Sequence, residues 1–201
     1  MWGLSLLSSM ASSLMGYVMA EETRVVEKEP VKPGQIVVVG LPDVGLVGVI
    51  ATSYLIQKLG LQEVAYVRSD LLPPIAVLHG GLPHPPVRVL GGDSLLVVFS
   101  ETAVPAEAVA PLSKAIVDWC REKGAKLVIS LSGIPVPNRQ DIERPSVLGA
   151  ASLPDTLNIL KEHGIDILES GIMVGPYALI LRYCAEQGLP AIVLTAQCFF
   201  A

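Results

Sequence analysis

Four side chains with usable chemistry stand just after apolar runs: Asp43 behind 36–39, Glu101 behind 95–99, and Ser132 and Arg139 behind 127–131. In an α/β protein, residues at such places overlook the crevice outside the strand ends, where these folds bind ligands. Asp43 and Glu101 offer a general acid or base, or in the plainer reading a helix cap or an interface contact. Ser132 and Arg139, with Asn138 and Asp141 beside them, offer a grip on a phosphate or carboxylate, or an interface salt bridge. Gly40 and Gly45 belong to the run Gly40-Leu-Pro-Asp-Val-Gly-Leu-Val-Gly48, which turns from an apolar segment straight into a helical one. Free backbone N–H groups at such a turn attract anions. A P-loop, however, needs Lys and Ser or Thr after its last glycine, and Leu46 and Val47 follow Gly45. The five-residue gap from Gly40 to Gly45 also breaks the dinucleotide pattern G-x-G-x-x-G. Close packing of helix on strand is therefore the stronger reading, and ligand binding by Gly40, Asp43, Gly45, Glu101, Ser132 and Arg139 is the competing one.

Other chemistries find less support. No serine sits in G-x-S-x-G, so that hydrolase elbow is excluded. His79 and His84 bracket a proline-rich stretch at an irregular spacing and His163 lies near a helix end, so no metal site is expected. Cys120, Cys184 and Cys198 are widely spaced with no C-x-x-C pair, which predicts buried reduced thiols and a cytoplasmic compartment. No catalytic residue and no cofactor is assigned. A net charge of −5 without any basic run argues against nucleic acid as a partner.

The elements that must position these residues follow from periodicity. At 201 residues, 51% hydrophobic and 16% charged, the chain suits one sizeable core. Residues 36–39 are consecutive and β-branched, as in an interior strand covered on both faces. Asp43 is expected to cap the helix that follows, with Gly45 and Gly48 letting it lie close to the strand. Residues 21–33 read as an extended edge segment, 62–68 as a strand, 75–78 and 87–90 as short strands around a proline-rich excursion, and 95–99 as a central strand. A helix opens at Pro105 and ends at Gly124, a buried strand covers 127–131, and a polar loop covers 132–141. Helices from Pro154 and Pro176, with strands at 165–168 and 191–195, complete an α/β layered sheet. Residues 1–20 form an uncharged, Ser-rich apolar leader expected to lie outside the fold; signal peptide, poor membrane anchor, or a true start at Met19 all stay open. Residues 21–201 then form a single α/β domain.

Four segments in register, Gly40 to Gly48, Ser100-Glu-Thr-Ala-Val-Pro105, Ser130-Leu-Ser-Gly-Ile-Pro135 and Gly171-Ile-Met-Val-Gly-Pro176, resemble the proteasome assembly chaperone 2 family in its archaeal branch, which also carries the label archaeal ATP-grasp superfamily. The resemblance covers about Val25 to Phe199. It implies a three-layer α/β/α sandwich with a mostly parallel or mixed sheet, similar to nucleoside phosphorylases and related hydrolases, and a homo-oligomer that assists proteasome assembly without doing chemistry. It further implies a helix and tail after the last strand, the tail in some members ending hydrophobic-Tyr-any and docking into the proteasome α ring. That region is expected to be lacking here, since Phe199-Phe200-Ala201 suits a strand end better than such a tail. The resemblance favours a non-enzymatic, oligomeric, assembly chaperone-like protein whose partners are itself and proteasome α subunits, with interfaces built from the apolar loop 71–82 and aliphatic helix faces. The alternative is a nucleotide- or phosphate-binding enzyme of nucleoside phosphorylase-like or ATP-dependent ligase type, using Asp43, Glu101 and Arg139.

Overall fold

The valine run at Ile36–Gly40 (β2) is the fifth of nine strands in one mixed sheet, and three of its four valine and isoleucine side chains are buried. The computed structural model describes residues 22–199, so the leader and the last two residues fall outside it. The strands are β1 (Arg24–Glu27), β2, β3 (Gln62–Arg68), β6 (Val87–Gly91), β7 (Leu95–Ser100), β8 (Leu127–Pro135), β9 (Val147–Ala151), β10 (Asp166–Ile167) and β11 (Ala191–Cys198); β4 (Val77–His79) and β5 (Leu82–His84) form a separate small hairpin. The sheet order is β1-β3-β6-β7-β2-β8-β11-β9-β10. β7, β2, β8 and β11 run parallel, while β1, β3 and β6 pair antiparallel on one flank and β9 pairs antiparallel with β11 on the other.

The helices are α1 (Val47–Leu59), α2 (Ala106–Glu122), α3 (Pro154–Glu162) and α4 (Pro176–Glu186). β2 alternates between two cores. Val37 and Val39 face a larger cluster with Leu112, Ile116 and Ile180 from α2 and α4. Val38 faces the other side with Leu90, Val97 and Phe99, against which Val49, Leu55 and Ile56 of α1 pack. This is the three-layer α/β/α arrangement, and the aliphatic alternation on both faces of β2 is its cause. At the far edge, β1 is tied down by Glu27, which accepts from the Trp119 indole at 2.9 Å and pairs with Lys123 at 2.7 Å. The three cysteines are free and buried. Burial pushes the Cys184 thiol up to about 12 and the Cys120 thiol higher still.

Three details differ from the sequence reading. β8 runs on to Pro135, so Ser132 sits in a strand rather than in a loop. β5 and β9 have no counterpart among the expected strands, and the strand expected at 75–78 lies at Val77–His79, paired with β5. Asp43 does not cap a helix: it precedes a 3-10 turn at Val44–Leu46 without a side-chain cap, and α1 starts behind Leu46 in a left-handed conformation (φ 53°).

Candidate functional site

β8 overruns β2. Its pairing with β2 ends at Val39↔Ser130, whereas its pairing with β11 continues to Cys198↔Pro135. The space above the end of β2 is filled by the chain's own 3-10 turn, and glycines permit this. A Cβ on Gly133 would lie 2.4 Å from the Val44 carbonyl oxygen, and one on Gly45 (φ 67°) would lie 2.7 Å from Cys198 Sγ. One turn on, a Cβ on Gly48 would lie 2.3 Å from the Leu131 carbonyl oxygen. Gly40 admits the Thr52 side chain, which would sit 2.2 Å from an added Cβ. Beneath the turn, the buried Tyr177 hydroxyl accepts from the Leu41 N–H and donates to the Leu41 carbonyl, both at 2.7 Å. The glycine run serves close packing at the place where other α/β folds leave a crevice open.

Inside this packing, the Ser132 hydroxyl donates to Asp43 Oδ2 at 2.5 Å, and Asp43 Oδ1 is buried without a partner among the described residues. Burial raises the Asp43 carboxyl from its ordinary 3.8 to about 6, against the lowering effects of the Ser132 hydroxyl and the Gly133 N–H. Burial and the nearby Asp43 together push the Cys198 thiol up, so it is no thiolate nucleophile. Arg139 donates to its own loop at the Ile142 carbonyl (2.8 Å) and stacks over Phe199 at 5.2 Å. Asp43 and Ser132 are thus brought together, with Gly45 above them.

Glu101 belongs to a different cluster. It accepts from Arg88 Nη2 at 2.8 Å and lies 2.9 Å from His79 Nε2. Glu63 pairs with Lys28 and lies 2.6 Å from His84 Nδ1, so the two hairpin histidines each lean on a glutamate of the sheet. Those pairs outweigh burial and lower the Glu63 carboxyl. Of Asp43, Glu101 and Arg139, the trio required of an enzyme, Asp43 and Arg139 both lie near Cys198, while Glu101 belongs to the separate Arg88 cluster. Sequence reading missed Arg88, which looks like the outward residue of an alternating strand.

The surface shows a third feature. Ile50 and Tyr54 of α1, with Leu46 just before its first turn, recur every four residues and are 66%, 59% and 51% exposed. They form one apolar stripe on the side of α1 turned away from the sheet. The β4–β5 hairpin carries Leu78 and Leu82, 68% and 66% exposed, on its two opposite faces. The hairpin adjoins α1 across a small cleft that both line. Large apolar side chains exposed on neighbouring elements are the kind of surface that protein partners cover. No helix among the described residues is long and apolar enough to cross a membrane.

The model of the PAC2 family matches residues 37–200. The crystal structure of PbaA from Pyrococcus furiosus, an archaeal homolog of proteasome-assembly chaperone, superposes with a TM-score of 0.81 at 28% identity, covering 88% of this chain and 77% of that one. PbaB from Pyrococcus furiosus, an archaeal proteasome activator, superposes with a TM-score of 0.75 at 23% identity over 90% of this chain and 82% of that one, a likeness of fold. An uncharacterized protein of Methanocaldococcus jannaschii is 29% identical over 180 residues, 89% of this chain and 73% of that protein. The ATP-grasp label finds no support in these matches, and likeness to phosphorylases and hydrolases is only a loose description of the fold.

Proposed function

The chain belongs to the PAC2 family, and on that premise we propose that it is a non-enzymatic assembly chaperone-like protein that works through protein–protein contact. The observation that carries this reading is the set of exposed apolar side chains on two neighbouring elements: Ile50 and Tyr54 of α1 with Leu46 just before it, and Leu78 and Leu82 on the two faces of the hairpin. The likeness to PbaA supports it. The partners in this reading are proteasome α subunits and further copies of the chain, in the cytoplasm, where the three free thiols stay reduced.

A second apolar patch supports self-association. Val174, 77% exposed, lines a groove of about 740 Å³ along α4, on the face of the sheet opposite α1, and Ile172, two residues before it, is 95% exposed. Two different patches on opposite faces suit head-to-tail contacts, which close into rings. A nucleotide or phosphate enzyme would need Asp43, Glu101 and Arg139 to converge on one space, and Glu101 is held apart from the other two by Arg88.

The test pairs light-scattering mass with a pull-down against proteasome α subunits of the same organism. The reading expects a homo-oligomer that retains α subunits, and expects Ile50→Glu with Leu78→Glu to release them while the fold persists. A strictly monomeric protein that ignores α subunits would contradict it. Saturable nucleotide or phosphate binding that is lost in Arg139→Ala would revive the enzyme.

A further inference from the structure

Between α1 and the hairpin, within the face that the assembly reading uses, lies a cleft whose own chemistry that reading does not call on. Ser53, Ile56 and Gln57 of α1 form one wall, His79 and Glu101 the other, and Arg88, Leu90 and Phe99 the floor, enclosing about 240 Å³. Arg88 is the unusual member. Its side chain is only 8% exposed, and its guanidinium lies 5.8 Å from the Phe99 ring centre. Nη2 reaches Glu101 Oε2 at 2.8 Å and lies 3.0 Å from His79 Nε2, while Nη1 is 4.0 Å from Glu63 Oε2. The Nε–H is buried and has no partner among the described residues.

A guanidinium presents N–H groups in a planar fork that matches both oxygens of a carboxylate. Glu101 fills only part of this fork, with one oxygen on one nitrogen. It also stands at the rim, with 36% of its side chain exposed, so releasing Arg88 moves it into water it already meets. Arg88, by contrast, cannot be left alone, because a buried charge without a counter-ion is costly. Glu101 is the exchangeable partner of a fixed cation. The rest of the floor is apolar, which selects for an anion with a hydrocarbon body, and the Ser53 hydroxyl and Gln57 amide stand ready at the rim. A doubly charged phosphate suits the cleft less, because it meets Glu101 with twice the charge and has no hydrocarbon body for the apolar floor.

We propose that this cleft binds a carboxylate borne on a small apolar group, with Arg88 gripping the carboxylate, Phe99, Leu90 and Ile56 packing its body, and Glu101 acting as the internal competitor that the ligand displaces. The same chemistry comes from two sources, a free organic acid or the terminal carboxylate of another protein's chain.

Calorimetric titration of the full chain with sodium benzoate, and with a tripeptide ending in phenylalanine as free acid and as amide, tests this. Glu101→Gln removes the competitor and is expected to tighten the acid probes about tenfold, the value of one charge-assisted contact. Arg88→Lys keeps the charge, loses the fork, and is expected to weaken them by about the same factor. Benzoate alone binding assigns the cleft to free acids. The tripeptide acid binding more tightly than benzoate, with its amide failing, assigns it to chain termini. Arg88→Gln is the harsher variant; if it does not fold, the gain in Glu101→Gln still decides. No binding of any acid probe by folded Glu101→Gln at millimolar concentration overturns the proposal, as does binding indifferent to Arg88→Lys.

Discussion

Replacing Asp43 by Asn should make the protein more stable at neutral pH. The Asp43 carboxyl is held at about 6 in the fold against an ordinary 3.8, with burial as the main cause and Ser132 and Gly133 opposing it. A folded value above the unfolded one means that the native state holds this proton more tightly. The group's contribution to stability is thus fully present below 3.8 and is lost as pH rises through about 6. A shift of that size corresponds to about 3 kcal/mol. The carboxyl is only partly buried, so screening trims this to about 1–2 kcal/mol. The Asn side-chain oxygen still accepts from the Ser132 hydroxyl and the Gly133 N–H, and it carries no charge to desolvate. Urea denaturation of both proteins at steps from pH 4 to pH 8 is the assay. The expected curves coincide near pH 4 and separate to about 1–2 kcal/mol in favour of the variant at pH 7.5, a rise of about 2–8 °C in Tm. A variant that is less stable than the parent at pH 7.5, with the same pH slope, would refute the reasoning and show that the ionised carboxylate is welcome where it sits.

Two further substitutions probe the packing at the same turn. Gly48→Ala puts a methyl group 2.3 Å from the Leu131 carbonyl oxygen and 2.8 Å from the Tyr177 hydroxyl, which should cost about 3 kcal/mol or more. Gly60→Ala meets no atom within 4 Å and strains only a left-handed residue (φ 59°), for about 1 kcal/mol. Equal losses in chemical denaturation would show that strand–helix proximity is not what Gly48 provides. Tyr177→Phe strands the Leu41 N–H and carbonyl in the core and should lower stability by about 1–3 kcal/mol, with faster amide exchange at Leu41 by NMR. An unchanged Leu41 exchange rate would mean that the hydroxyl is dispensable.

Local chemistry made much of the fold legible. The β-branched run of β2 marked an interior strand, and the glycines after it marked a close helix. The prolines and glycines of 71–86 marked an excursion with a short strand, but not the second strand at Leu82–His84 that closes it on itself. The rest depends on contacts across long sequence distances. β9 reads Val-Leu-Gly-Ala-Ala, too small-sided to look like a strand, because Leu160 presses on Gly149, where a Cβ would sit 2.7 Å from Leu160 Cδ2. The end of β8 carries Ser132 and Gly133, which look like loop residues until β11 pairs with them at Thr195 and Ala196. Asp43 looked like a cap because its partner Ser132 is 89 positions away. Arg88 looked like a solvated strand residue because Glu101, His79 and Glu63, which hold it inside, come from three other segments. The sites of both glutamates were fixed by tertiary pairing, and no spacing rule within a short window encodes that.

Hydrogen–deuterium exchange of the full chain, alone and mixed with proteasome α subunits, tests the protein-binding face most directly. Slowed exchange confined to α1 and the β4–β5 hairpin is the expected result. Protection that leaves residues 46–59 and 77–84 untouched, or the lack of any protection at saturating α subunit, would contradict it.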